Sequence, residues 1–442
     1  MSKRLTETKT SNKNVWLSAL IVLLLLIFRI FLGIQTNFSH LDYEQIYLMG
    51  LENAYSGNWS FWGPDVVWSQ TRLAGALQGL LVGIPIKFFN HPYAPIVLSN
   101  IISTGGLVIL AVYVKKRFEN FSLNFILILF LLLPAYLHHG TVLLNTSYLI
   151  LSGALLFISV FDRFVYQDNM FFKKTHWYFL CIGFALLFTY QLHLTWVMFL
   201  PFIVVLLFYA WKEDKKKGSV SLLYLLIGGL ISGSLLLPTI WQYGDVIYSG
   251  AGGNLTFKPE RFAKVFDLIL RHFSFASFDI VEKADIYKLS MEQSAAVKIL
   301  IWTVKILSAI QFLGILYAVY MMKKGKEFKR LMIVYGLSIL MALVLFVLGN
   351  KHLSARTYIL LYPLPIMLSF YAYDYLLQKK FFKPFMTVSL IAVFITFTGI
   401  AMTNYKGVYS FDSVKEPMDR AFETKDPYDF AKRRESIMDD YN

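Results

Sequence analysis

The sequence predicts an all-α polytopic membrane protein of about eleven transmembrane helices, with amphipathic surface helices in a long first outer loop. Three observations carry this prediction. Of the 442 residues, 57% are hydrophobic and only 16% are charged, where a soluble domain carries about 25% charged residues. The apolar residues fall in nearly uncharged blocks of roughly 16–22 residues, the length that takes a helix across a bilayer core. The basic residues sit in short clusters between those blocks. The same facts exclude a soluble enzyme and a disordered chain. They also oppose an outer-membrane barrel, which shows alternation instead of solid blocks. The net charge of +14 belongs to the loop clusters, so it does not indicate nucleic acid. The single cysteine, Cys181, sits in an apolar block and cannot form an internal disulfide.

The first block, 15–34, follows a short basic segment and lacks a small-residue cleavage site, so it reads as an uncleaved signal anchor. Further spans are expected near 94–114, 121–137, 142–161, 177–190, 194–211, 219–240, 299–322, 331–349, 357–377 and 384–402. With the N-terminus inside, the inner connections are 1–14, 115–120, 162–176, 212–218, 323–330 and 379–383. They hold 22 of the 42 Lys+Arg residues, whereas the first outer loop, 35–93, has only Arg72 and Lys87. Every inner loop is basic, as the positive-inside rule requires. A span at 72–90 would invert all later loops, so that segment is expected as one or two helices lying on the outer membrane surface. The organisation is then a transmembrane domain over 1–402, with outer loops at 35–93 and 241–298, and an outer tail over 403–442. No internal repeat is evident, which disfavours a secondary transporter.

Ionisable groups inside the spans are few: Arg29, Lys305 and, near an inner end, Asp374. Acidic residues instead gather just outside the first span. Asp42 and Glu44 lie at the outer surface, where a carboxylate can act as general base on an acceptor hydroxyl or ligate a divalent metal. They share a face if the segment is extended and point apart if it is helical. Ser39-x-x-Asp42 also resembles a capping box for a helix ending at Ser56 and Gly57, with Tyr47, Leu51 and Tyr55 as a membrane-facing stripe. Cations suited to a lipid phosphate are Arg72, Lys351, His352 and Arg356. Arg261, Lys264, Arg271 and His272 in the second loop are expected to meet headgroups from an amphipathic helix near 259–273. His138 and His139 occupy a tight outer turn, but a pair without a spaced third ligand makes a weak metal motif, and a metal stays unassigned. Arg29 lies about one and a half turns before the outer end of its span, placed to snorkel outward or to contact the site from below.

The order of these features resembles the GT-C superfamily of membrane glycosyltransferases, in particular the protein O-mannosyltransferase and lipid A aminoarabinose transferase group. The residues that carry the resemblance are Arg29 late in the first span, Asp42 and Glu44 opening the first outer loop, and the turn AYSGNWSF with Gly57, Asn58 and Trp59. LLLPAYLHHGTVLLNTSYLIL resembles the proline-marked second outer loop, and SARTYILLYPLPIMLSFYAY the R-Y-x-x-P-x-x-P span. The family's adjacent Asp-Glu is interrupted by Tyr43, and the acidic residue many members carry in the second outer loop is replaced by Asn145. The resemblance implies a polyprenyl-phosphate-linked sugar donor and transfer on the outer face to a protein, lipid or glycan acceptor. It implies Asp42 as base, with Arg72 and Arg356 facing the leaving phosphate, Lys351 and His352 beside them, and His138, His139, Asn145 and Arg29 lining the site. A bacterial cytoplasmic membrane is the expected location. Two rivals remain: a polymerase of lipid-linked glycan repeats, and a flippase or transporter of lipid-linked precursors. Asn37, Asn58, Asn145 and Asn254 each begin an N-x-Ser/Thr triplet, which permits glycosylation without demonstrating it.

Overall fold

The computed structural model describes residues 12–36, 41–66, 71–141, 145–244, 312–322, 325–348, 358–378 and 421–426, with single positions at 259, 269, 272, 306, 309, 429 and 432. The chain is helical nearly throughout these segments. Helix α1 spans Asn12–Thr36, α2 Leu41–Ser56 and α3 Leu77–Phe89. A two-stranded antiparallel hairpin, β1 (Trp62–Val66) and β2 (Thr71–Ala74), lies between α2 and α3. Then come α4 (Ala94–Arg117), α5 (Leu123–Leu132), α6 (Pro134–Gly140), α7 (Asn145–Val160), α8 (Thr175–Tyr190), α9 (Leu200–Glu213), α10 (Lys215–Gly233) and α11 (Leu237–Tyr243). After the second long loop, α12 spans Phe312–Met322, α13 Lys326–Leu348 and α14 Pro363–Leu377.

Seven stretches are long and apolar enough to cross a membrane: 14–34, 94–117, 145–166, 194–213, 215–243, 326–345 and 359–377. The protein is thus an all-α chain with the make-up of a multi-pass membrane protein. Shorter apolar helices, α5, α8 and α12, occupy three further expected spans. The expected span 121–137 is split, because Pro134 has no N–H to continue α5 and Leu133 turns to an extended backbone (φ −56°, ψ 129°). The span expected at 384–402 lies outside the described residues.

Polar contacts sort the helix ends into two groups. At one end Ser18 meets Asn124 (2.6 Å), Asn120 meets Asp374 (2.6 Å), Arg163 meets Glu213 (3.2 Å), and Arg330 donates to the Val165 carbonyl (3.3 Å). These segments include the expected inner connections, so this is the basic end. At its centre Asp162 is fully buried in a π-helical turn, Phe161–Tyr166, that continues α7. Its Oδ1 accepts from Tyr113 (2.8 Å) and Arg117 (2.7 Å), and its Oδ2 from the Tyr178 hydroxyl (2.6 Å) and the Phe171 amide (2.9 Å). Arg117 also holds Asp168 through two bonds of 2.8 and 3.0 Å and lies 3.7 Å over the Tyr166 ring. A buried carboxylate is tolerable when this fully partnered.

The loop 35–93 gathers at the opposite end. Helices α2 and α3 pack on each other at glycines. A Cβ on Gly50 would lie 2.2 Å from Val82, and one on Gly83 would lie 2.7 Å from the Gly50 carbonyl. Helix α2 stops at Gly57, whose φ of +72° suits glycine. The stripe expected to face the membrane turns inward instead. Tyr47 and Leu51 are buried against Val82, Ile86 and Ile96. Each juxtamembrane helix covers the other's apolar side, because the two glycines allow close approach. Only Ile84, Phe88 and Phe89 remain as exposed apolar residues on α3. The region 72–90 also begins as strand, not helix.

The tail returns to this corner. Ala421 is buried in the α2–α3 cluster, Phe422 meets the Tyr55 ring edge-on at 6.3 Å, and Lys425 Nζ lies 5.7 Å over that ring. Burial raises the Tyr55 hydroxyl above its usual pKa. Within the bundle, α8 and α10 cross through small residues. A Cβ on Gly228 would lie 2.0 Å from the Leu180 carbonyl oxygen, and Ser232 donates to the Phe184 carbonyl (2.8 Å).

Two stability outcomes follow from this packing. Asp162→Ala strands Tyr113, Tyr178 and part of Arg117, and should cost about 3–5 kcal/mol. Gly228→Val overpacks the α8–α10 crossing and should cost about 1–3 kcal/mol. Thermal stability in detergent, followed by the monodisperse fraction after heating, measures both. Wild-type curves would contradict these packing assignments.

Candidate functional site

Helix α2 carries the acidic motif. Asp42 stands in its first turn, where the unpaired amides and helix dipole favour negative charge. At about 100° per residue, positions 42 and 44 lie about 200° apart around the axis. The extended arrangement, in which Asp42 and Glu44 share a face, therefore does not hold, and they do not form a pair. Position 42 instead shares its side with Ile46, one turn on. Glu44 is half-buried.

Ile46 is part of a crevice between the α2–α3 unit and the start of α7. Gln78, Leu81 and Val82 of α3 form one side, and Asn145, Tyr148 and Leu192 the other. Amides build its floor. Gln78 Nε2 donates to the carbonyls of Gln191 (3.0 Å) and Leu192 (3.2 Å), and Asn145 Nδ2 donates to Leu192 (2.9 Å). Gln191 in turn donates to the Ser232 carbonyl (2.8 Å). The corner between β2 and α3 presses on that residue. Gly75 has φ +105°, and a Cβ there would lie 2.6 Å from Gln191 Oε1. Thr239, from α11, donates to the Phe61 carbonyl (2.7 Å) and ties the hairpin to the bundle. Gly75, Gln78, Asn145, Gln191 and Leu192 thus meet at one junction.

Arg29 supports the junction from below. It is fully buried, so it does not snorkel. Its Nη1 donates to the Leu131 carbonyl (3.0 Å), and its Nη2 approaches Ser103 Oγ (3.2 Å) and the carbonyls of Tyr136 (3.3 Å) and Gly140 (3.2 Å). These carbonyls flank the break at Pro134, where a helix loses its regular acceptor pairing. Arg29 fills that loss and fixes α6, which carries His138 and His139. The His139 side chain is buried, and its carbonyl accepts from Thr146 (3.2 Å). Asn100 Nδ2 donates to the Thr141 carbonyl, two residues on (2.9 Å).

The structure brings Asn145 into the crevice, Arg29 against α6, and position 42 one turn from the crevice wall. It does not bring Arg72 there. Arg72 is exposed on β2, paired in register with Asp65. Lys351, His352 and Arg356 lie outside the described residues. His272, expected to meet headgroups, is buried, with its Nε2 3.1 Å from Ser338 Oγ and its ring edge-on to Tyr358. Among the described residues, no group of three or more His, Cys, Asp and Glu side chains is placed to hold a metal ion. Sequence reading missed Gln78, Tyr148 and Gln191. The available signal was a side-chain amide in an otherwise apolar run, as in LAGALQGLL. Such a group must find partners inside the protein.

No family model matches the chain, and no curated protein matches it.

Replacing Arg29 by Met removes the side-chain donor of the Leu131 and Tyr136 carbonyls, leaves Gly140 to Ser103 alone (2.7 Å), and should cost at least about 1–3 kcal/mol. Arg29→Lys, which can reach fewer acceptors, should fall between Met and wild type. Melting in detergent ranks the three proteins; equal stability of Met and wild type would contradict the pinning role.

Proposed function

We propose that this protein is an integral-membrane glycosyltransferase. It moves a sugar from a polyprenyl-phosphate-linked donor to a protein, lipid or glycan acceptor on the non-cytoplasmic face. The observation that carries the reading is the position of Asp42. It lies in the first turn of α2, one turn before a residue that walls a small crevice, at the bundle end opposite the basic loops. Asp42 takes the proton of the acceptor hydroxyl as the acceptor oxygen attacks the anomeric carbon. The bond from that carbon to the phosphate oxygen breaks with inversion, and the lipid phosphate leaves with the electron pair. Arg72, Arg356, Lys351 and His352 are the proposed phosphate partners, Glu44 an auxiliary carboxylate, and His138, His139, Asn145 and Arg29 the surrounding frame. The family resemblance supplies the donor class, and the order of motifs along the chain supports it.

The reading includes eleven crossings with an outer tail. The chain is at the basic end at Asp374 and is next described at Ala421 against α2, at the opposite end. The crossing expected at 384–402, outside the described residues, belongs to this proposal. Tyr243 contacts Phe61 and Trp62 at the opposite end, whereas Arg330 meets the basic end, and the proposal carries the crossing expected at 299–322 between them. The basic loops orient the crevice outward under the positive-inside rule. The proposed location is the bacterial cytoplasmic membrane.

Asp42→Asn should lower transfer by at least about 100-fold, while the melting temperature stays at the wild-type value. The measurement is mass spectrometry of extracellular glycans and glycoproteins from a deletion strain complemented with each variant. Wild-type products from Asp42→Asn would overturn the reading and favour a flippase of lipid-linked precursors. A reporter in the 35–93 loop should be accessible only from outside.

A further inference from the structure

The basic end carries two kinds of cation. Some are already spent inside the protein. Arg117 is held by Asp162 and Asp168, and Arg163 by Glu213 and Asn169. Lys115 Nζ donates to the Glu119 carbonyl (2.8 Å), and Lys116 Nζ lies 5.3 Å over the Phe171 ring. A second group is unspent. Lys173 and Lys174 precede α8, and Lys215, Lys216 and Lys217 open α10. All five are exposed, and none of their amino groups has an ion-pair or hydrogen-bond partner among the described residues. The acidic residues just before α10 are engaged elsewhere. Glu213 meets Arg163 (3.2 Å), and Asp214 accepts from the Lys216 amide (2.9 Å).

Helices α8 and α10 bring these lysines to one edge. The two run side by side in the same direction, since Leu180 meets Gly228 and Leu187 meets Gly233. Near the basic end the His176 and Tyr224 rings lie 4.3 Å apart, and Trp177 meets them at 5.6 and 6.3 Å. Lys173 and Lys174 stand two and three residues before His176. Lys217 is two turns before Tyr224 on the same side of α10. Lys216 heads the neighbouring stripe, Val220, Leu223, Ile227 and Ile231, at helical spacing. Those four apolar side chains are exposed, and Trp177 is 46% exposed.

The edge therefore has a fixed order: unpaired ammonium groups, then a ring shelf, then a bare apolar stripe. An anionic phospholipid has the matching order of phosphate, glycerol and acyl chains. Indoles settle at the bilayer interface, and lysines there attract lipid phosphate. A neutral lipid would cover the stripe and leave the ammonium charges unanswered. A small soluble anion would answer the charges and leave the stripe bare.

We propose that the α8–α10 edge is a binding site for an anionic phospholipid of the adjoining leaflet. Lys173, Lys174, Lys216 and Lys217 surround its phosphate, Trp177 meets its glycerol region, and the α10 stripe carries its acyl chains. The site stands apart from the glycosyltransferase reading and needs only the multi-pass make-up of the chain.

The test titrates the delipidated full chain in detergent with phosphatidylglycerol, phosphatidylcholine and glycerol phosphate, with bound lipid read by native mass spectrometry. Wild type should bind phosphatidylglycerol at least about fivefold more tightly than phosphatidylcholine. Lys174→Gln with Lys217→Gln takes one lysine from each helix, and both are exposed, so the fold should be kept. That pair should weaken phosphatidylglycerol binding at least about fivefold and leave phosphatidylcholine binding unchanged. The control of equal charge is Lys326→Gln with Lys329→Gln, on α13 at the same end. It should bind both lipids as wild type does. Equal loss in the two pairs would mean a diffuse attraction of all the basic loops, and overturns the site. Equal wild-type affinity for the two lipids overturns it too. So does glycerol phosphate binding as tightly as the lipid, because the apolar stripe would then play no part.

Discussion

The fold depends on one buried cation. A guanidinium inside an apolar bundle carries a desolvation cost of several kcal/mol, which only dense hydrogen bonding offsets. Arg29 meets this condition without a carboxylate. Its partners are three carbonyls and one serine hydroxyl, all near the proline break that separates α5 from α6. Each side needs the other. The broken helix has unpaired acceptors in an apolar setting, and the arginine has donors that water cannot reach. Joined, they fix α1 against α4, α5 and α6 at the depth where the crevice begins. The approach is close enough that a Cβ on Gly33 would lie 2.2 Å from the Thr141 carbonyl oxygen.

The same solution recurs above that pin in neutral form. Gln78, Asn145 and Gln191 each donate to main-chain carbonyls of neighbouring connections. Side-chain amides suit the place because they tie loop backbones together without adding charge. The juxtamembrane pair α2–α3 is therefore not a raft on the lipid surface. It is bonded into the bundle through Gln78 and held by glycine contacts to itself, with Ala421 and Phe422 packed on its far side. The acidic segment at the start of α2 thus belongs to a fixed structure.

Some of this was legible in the sequence. The uncharged apolar blocks marked seven long helices correctly, because length and hydropathy act along the chain and not through packing. Gly57 also read correctly as a helix stop, since its effect is local to the backbone, whereas the break at Pro134 fell unnoticed inside the span expected at 121–137. The inward turn of Tyr47 and Leu51 was not legible. Hydropathy cannot distinguish lipid from another apolar helix, and only the Gly50–Gly83 approach decides between them. The role of Arg29 was hidden because its partners are carbonyls, which every residue has. The Asp162–Arg117–Asp168 cluster was hidden because counting charges per loop does not pair them. His272 had been grouped with its basic neighbours, whereas an imidazole can enter a core that lysine and arginine avoid.

The two ends of the bundle differ in the kind of bond that closes them, and that difference bears on where chemistry can occur. The basic end is locked by a buried carboxylate with all its donors in place, including a guanidinium that is itself held by a second aspartate. The opposite end is joined by neutral amides, and two of its buried polar atoms, Gln78 Oε1 and the Tyr148 hydroxyl, remain unmatched. Unmatched groups in a dry setting are costly. A charged end and a neutral end therefore close the bundle in different ways. The first fixes the helices in register. The second joins its connections through neutral side-chain amides, beside the acidic residues that follow the first span.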